Sequence, residues 1–164
     1  AVTVPAASAL SASPEHADNE VGAVSQTASH ARPILVVDDD PVARALINEY
    51  LAVTGLLNPR VQLPDGVQAI AEMQRRADLG ADHLPALVLL DRQMPGCSGL
   101  DVLRWMRRTP ALADVPVVLL SGDSAAAAVT QAYQLGARSY LVKPVGFEAL
   151  GAVVRDLGLP WLLV

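Results

Sequence analysis

The sequence predicts an α/β protein, a doubly wound five-stranded parallel sheet assembled from five β-α units. Three observations predict it. Short continuous apolar runs recur: Ile34-Leu-Val-Val37, Ala86-Leu-Val-Leu-Leu90, Val117-Val-Leu-Leu120 and Tyr140-Leu-Val142. Such runs suit strands buried on both faces, and the amphipathic stretches between them suit covering helices. Each run also ends on polar groups, namely Asp38 and Asp39, Asp91, Ser121 and Lys143. In an open parallel sheet those groups share the carboxyl edge, where ligands bind.

The first strand is expected over about 33–38. Asp40-Pro41 then reads as an N-cap with proline at the first helical position. That helix runs to about Thr54 with Ala43, Leu46, Ile47, Tyr50 and Leu51 on one face, and Gly55 stops it. A weak strand follows at about 60–63. Asp65-Gly66 opens a second helix over about 67–77, with Val67, Ile70, Ala71 and Met73 apolar. A polar loop containing Gly80 leads to the strand 86–91. The third helix covers about 99–108, carrying Leu100, Leu103, Trp105 and Met106. A strand at 116–121 precedes an Ala-rich helix at about 124–135, for which Gly136 is the expected C-cap. The last strand is 139–142, and the last helix, about 147–157, is closed by Gly158 and Pro160.

At 164 residues the chain holds one domain and a tail. Residues 1–31, rich in Ala, Ser, Thr and Pro without periodicity, read as a disordered tail or linker. The domain is expected over 32–158, and 159–164 as an apolar C-terminal tail. The chain begins at Ala1, which fits processing or a fragment of a longer protein. A net charge of −5 with no compensating basic stretch argues against direct nucleic-acid binding. One cysteine, Cys97, excludes a disulfide framework and fits a reducing, cytoplasmic location. No apolar run approaches the roughly 20 residues of a membrane span.

Three acids, a hydroxyl and an ammonium at one edge suit a divalent-metal and phosphoryl site. Magnesium takes hard oxygen ligands, and carboxylates on adjacent strand ends supply them. Asp38 and Asp39 are consecutive, so one can ligate while the other holds a metal-bound water. Asp91 can act both as ligand and as nucleophile towards phosphorus. The Lys143 ammonium would offset charge on the phosphoryl oxygens, and Ser121 could donate to one of them. Singly these signals are weak. An Asp run after a strand is often a helix cap, which is the better reading of Asp40, and Lys143-Pro144 alone is a loop dipeptide.

Val36-Val-Asp-Asp39, Leu89-Leu-Asp-Arg-Gln-Met-Pro-Gly-Cys-Ser-Gly99, Leu120-Ser-Gly122 and Gly136-Ala-Arg-Ser-Tyr-Leu-Val-Lys-Pro144 together resemble the receiver domain of two-component response regulators. The resemblance covers 33 to about 157. It implies a flavodoxin-like sheet in strand order 2-1-3-4-5, and Asp91 as phosphoacceptor from a phosphohistidine. It further implies a magnesium pocket of Asp38, Asp39, Asp91 and the carbonyl of Gln93. Lys143 would contact the phosphoryl group, while Ser121 and Tyr140 would form the conformational switch. The implied partners are a histidine kinase or phosphotransfer protein, and an output effector on the face of the fourth helix, last strand and last helix. Such a protein is a signalling switch, not an enzyme with a diffusing substrate. Three departures stand out: a longer stretch around Asp78–Pro85, Ala86 where the family often has an acid, and few charges on the last helix. An aspartyl phosphatase is the second reading. It is discounted because Gln93 stands where a second acid would protonate the leaving group. A receiver fold used purely for binding is the third.

Overall fold

The computed structural model describes residues 31–159. The expectations for 1–30 and 160–164, including the closing Pro160, lie outside the described residues.

Five parallel strands alternate with five helices: β1 (Ile34–Val37), α1 (Pro41–Val53), β2 (Arg60–Leu63), α2 (Gly66–Leu79), β3 (Leu87–Asp91), α3 (Gly99–Arg108), β4 (Val117–Ser121), α4 (Ala126–Gln134), β5 (Ser139–Val142) and α5 (Phe147–Asp156). The sheet order is β2-β1-β3-β4-β5, as expected. β1, β3 and β4 are buried throughout, which explains their unbroken apolar character. Alternate residues feed two cores. Leu35, Val37, Val88, Leu90, Val117 and Leu119 meet Ala69 and Met73 of α2, Val102, Leu103 and Met106 of α3, and Ala132 of α4. Ile34, Val36, Leu87, Leu89, Val118 and Leu120 meet Ile47 and Leu51 of α1 and Leu150 and Val154 of α5. Each fully buried leucine contributes about 1.5–3 kcal/mol, so this two-sided burial dominates stability.

Local chemistry sets the helix starts. Asp40 caps α1 by accepting from the Val42 amide at 2.9 Å, with Pro41 in the first turn. Asp65 caps α2 through the Gln68 amide at 2.7 Å, and Ser98 with Asp101 forms a capping box on α3. Gly99 has to be glycine, because a Cβ there would lie 2.1 Å from the Asp91 carbonyl. That close approach brings α3 against the end of β3.

The structure refines the sequence reading at several points. The α2 core face is Gly66, Ala69 and Met73, with Ile70 partly buried, while Val67 is 67% exposed. The Asp65 cap sets the helix phase, and i, i+3, i+4, i+7 then run 66, 69, 70, 73. Leu46 of α1 is similarly 41% exposed. α4 begins at Ala126 rather than 124, because the Asp123 side chain captures the Ala125 amide at 2.9 Å and makes a turn there. A 3-10 turn, Ala81–His83, occupies the stretch read as a polar loop, and a second, Pro110–Leu112, lies between α3 and β4.

Candidate functional site

The register explains the convergence at the carboxyl edge. Val37 lies beside Leu90, so Asp38 and Asp91 leave adjacent strands at one level. Asp91 pairs with Leu120, and Ser121 with Val142, one residue before Lys143. Asp38, Asp39 and Asp91 bring carboxylate oxygens within 4.8 Å of one another. Asp38 and Asp91 are buried, while Asp39 is exposed. The Lys143 ammonium reaches both buried acids, 2.8 Å from Asp38 Oδ2 and 3.2 Å from Asp91 Oδ1. The Gln93 backbone amide donates to Asp91 Oδ1 at 3.2 Å, and the Asp40 amide to Asp38 Oδ1 at 2.9 Å. The peptide bond between Lys143 and Pro144 is cis.

This cluster is short of positive charge. Burial first, and then repulsion from Asp38, push the Asp91 carboxyl up to about 6, although Lys143 and the Gln93 amide pull the other way. Burial pulls the Lys143 ammonium down, but its bond to Asp38 and the attraction of Asp91 outweigh this and hold it above its ordinary value. One ammonium among three carboxylates leaves room for a hard divalent cation, and an all-oxygen donor set fits magnesium or manganese.

The other two expected residues, Ser121 and Tyr140, share a partner. Ser121 is buried, and its hydroxyl accepts from the Asp123 amide at 3.0 Å. The Tyr140 hydroxyl donates to the Asp123 carbonyl at 2.5 Å. Both therefore meet at Asp123. Asp123 also holds Arg92, whose Nη1 lies 3.3 Å from its carboxylate. Arg44 donates to the Asp38 carbonyl at 2.6 Å and steadies the β1 end. The sequence reading missed Asp123, Arg92 and Arg44 as site residues. Arg92 lay inside a quoted motif, but nothing in spacing tells where a long side chain will reach.

The family model for the response regulator receiver domain matches residues 34–155. The chain belongs to that family. A receiver domain is a signalling switch rather than a classical enzyme. The probable methanogenesis regulatory protein FilR2 of Methanothrix harundinacea is 33% identical over 129 residues, covering 79% of this chain and 83% of that protein. Among solved structures, the bacteriophytochrome response regulator RtBRR is 35% identical with a TM-score of 0.71, covering 82% of each chain. The Mn(2+)-bound form of response regulator Rcp1 is 26% identical with a TM-score of 0.65, covering 81% of this receiver and 98% of that chain. Among the described residues, no helix of this receiver is long and apolar enough to cross a membrane.

Proposed function

We propose that this receiver accepts a phosphoryl group on Asp91 from a phosphohistidine and acts as a signalling switch. The observation that carries the reading is the position of Asp91: a buried carboxylate at a sheet edge, 3.2 Å from an ammonium and clustered with two further acids. An Asp91 oxygen attacks phosphorus, the phosphorus–nitrogen bond breaks, and the imidazole nitrogen keeps the electron pair. Water later attacks phosphorus, which returns the carboxylate and releases inorganic phosphate.

Asp38, Asp39 and Asp91, with the Gln93 carbonyl, would hold a magnesium ion. When bound, it would neutralise charge on the phosphoryl oxygens. That the similar response regulator Rcp1 has a Mn(2+)-bound form supports a divalent-metal reading of the acidic cluster. Lys143 stays charged beside both buried acids and would contact the same phosphoryl oxygens. Ser121 would leave Asp123 to donate to one of them, and Tyr140, bonded to the same Asp123, would follow. The donor would be a histidine kinase or phosphotransfer protein in the cytoplasm, and the output face α4, β5 and α5. The domain would span 32–158.

The test is incubation with acetyl phosphate and magnesium, followed by mapping of the modified residue. Modification of Asp91 in the wild type and its loss in Asp91→Asn are expected. A base-labile phosphoryl group acquired by Asp91→Asn at the wild-type rate would refute the assignment. Release of phosphate from added phosphomonoesters would favour a phosphatase instead.

A further inference from the structure

Arg92 follows the candidate phosphoacceptor directly. Its backbone is fixed on both sides: its amide donates to the Leu120 carbonyl at 2.8 Å, and its carbonyl accepts from Gly99 at 2.9 Å. Its side chain crosses to the next βα loop. Nη1 reaches Asp123 Oδ2 and Nη2 reaches Gln131 Oε1, each at 3.3 Å. Gln131 lies on α4, so one guanidinium ties the end of β3 to both the β4–α4 loop and the α4 helix.

Asp123 is the node of that loop. Its amide donates to Ser121 Oγ, its carbonyl accepts from Tyr140, and its carboxylate accepts from the Ala125 amide as well as from Arg92. α4 has no side-chain N-cap of its own, since Ala125 stands at that position. The Asp123 side chain is therefore what anchors the start of α4. Whatever holds Asp123 also holds the candidate switch hydroxyl and the candidate switch aromatic.

We infer that Arg92 is a latch that keeps the β4–α4 loop in its resting arrangement and is drawn off Asp123 when a phosphoryl group forms on Asp91. The inference rests on the phosphoacceptor reading above. The hold is weak by construction. Both contacts are long for hydrogen bonds, and the Asp123 side chain is 42% exposed. A phosphoryl group carries about −1.5 to −2 charge with strong acceptor oxygens, so it competes well against a single half-exposed carboxylate. A latch of this strength biases the resting state without locking it. Arg92 also lines a groove of about 550 Å³ with Asp39, Gln93 and Ser98, which gives the guanidinium room on the side of the acids.

Amide hydrogen exchange over residues 122–131 tests the latch in wild type, Arg92→Met, Asp123→Asn and the double variant. Without ligand, Arg92→Met should exchange about two- to fivefold faster there, the range expected for an exposed ion pair. Asp123→Asn should do the same, and the double variant should exceed neither single variant, because both remove one interaction. With beryllofluoride and magnesium the wild type should respond more than Arg92→Met. Unchanged exchange in Arg92→Met, or additive effects in the double variant, would overturn the latch. Fluorine NMR of bound beryllofluoride separates the two readings. If the wild type binds the mimic and Arg92→Met responds equally, the latch fails alone. If the wild type binds none, the phosphoacceptor reading fails, and the release of the latch fails with it.

Discussion

The two edges of this sheet are built on opposite principles. At the amino edge, arginines tie down all four loops that enter strands from helices. Arg60 donates to the carbonyls of Leu56 and Asn58, and Arg32 to those of Leu84 and Pro85. Arg107 alone reaches four carbonyls, those of Leu112, Ala113, Val115 and Gly136, and so ties two loops together. Loop carbonyls there are neutral acceptors satisfied by charged donors, which is a strong and inexpensive arrangement. At the carboxyl edge, three carboxylates cluster and one ammonium bonds two of them. One edge has its loop carbonyls met by charged donors and the other is electrostatically incomplete. Stability is invested at the first and withheld at the second, and the second is where a cation and a phosphoryl group would enter.

Removing a charge from each edge should therefore have opposite signs. The largest effect is expected from Arg107→Met, which removes the charged donor shared by four loop carbonyls and leaves the side-chain volume in place. A loss of about 3 kcal/mol is expected, read as the denaturant midpoint at constant slope. A neutral result would mean that the amino edge is held by its strands and not by its arginines.

The opposite sign is expected for Asp91→Asn, which should stabilise the metal-free protein at pH 7 by about 2 kcal/mol through relief of repulsion and burial of charge. The pH dependence sharpens this. A carboxyl raised to about 6 in the folded protein binds its proton more tightly than in the unfolded chain. Its contribution to metal-free stability is therefore complete below about pH 4 and lost as the pH climbs through about 6. Chemical denaturation of the metal-free wild type should show that decline, and Asp91→Asn should lack it. Equal slopes would remove Asp91 from the account of the strained edge.

How much of this was legible in the sequence follows the same division. The carboxyl edge was readable because its groups end apolar runs. Once Ile34–Val37 and Leu87–Leu90 are strands in one parallel sheet, Asp38, Asp39 and Asp91 have to be neighbours. The caps Asp40 and Asp65 and the terminating glycines 55, 136 and 158, all at positive φ, were equally local signals. The amino edge was not readable. Arg32, Arg60 and Arg107 act through flexible stems across up to 53 residues of sequence, and no period or spacing reports that reach. The same limit hid Asp123, whose importance comes from four partners contributed by three other elements and its own loop. The buried face of α2, Gly66, Ala69 and Met73, was not readable from apolar residue types alone, since Val67 is apolar and yet exposed.

A smaller effect should come from Ser121→Ala. The hydroxyl is buried and accepts one backbone bond, so its loss should cost about 1 kcal/mol of stability. Beryllofluoride should still bind, while the change in amide exchange it causes along 122–147 should diminish. An undiminished response would mean that Ser121 does not couple the site to the output face.

The claim that the carboxyl edge is left incomplete for a divalent cation is tested most directly by the melting temperature at pH 7 as magnesium is raised. A ligand that binds only the folded state stabilises it by about 2.7 kcal/mol at a concentration a hundred times its Kd. The wild type should therefore show a saturable rise in melting temperature, and Asp39→Ala, which loses an exposed member of the cluster, should show little or none. A wild-type melting temperature indifferent to magnesium, or an equal rise in Asp39→Ala, would contradict the account.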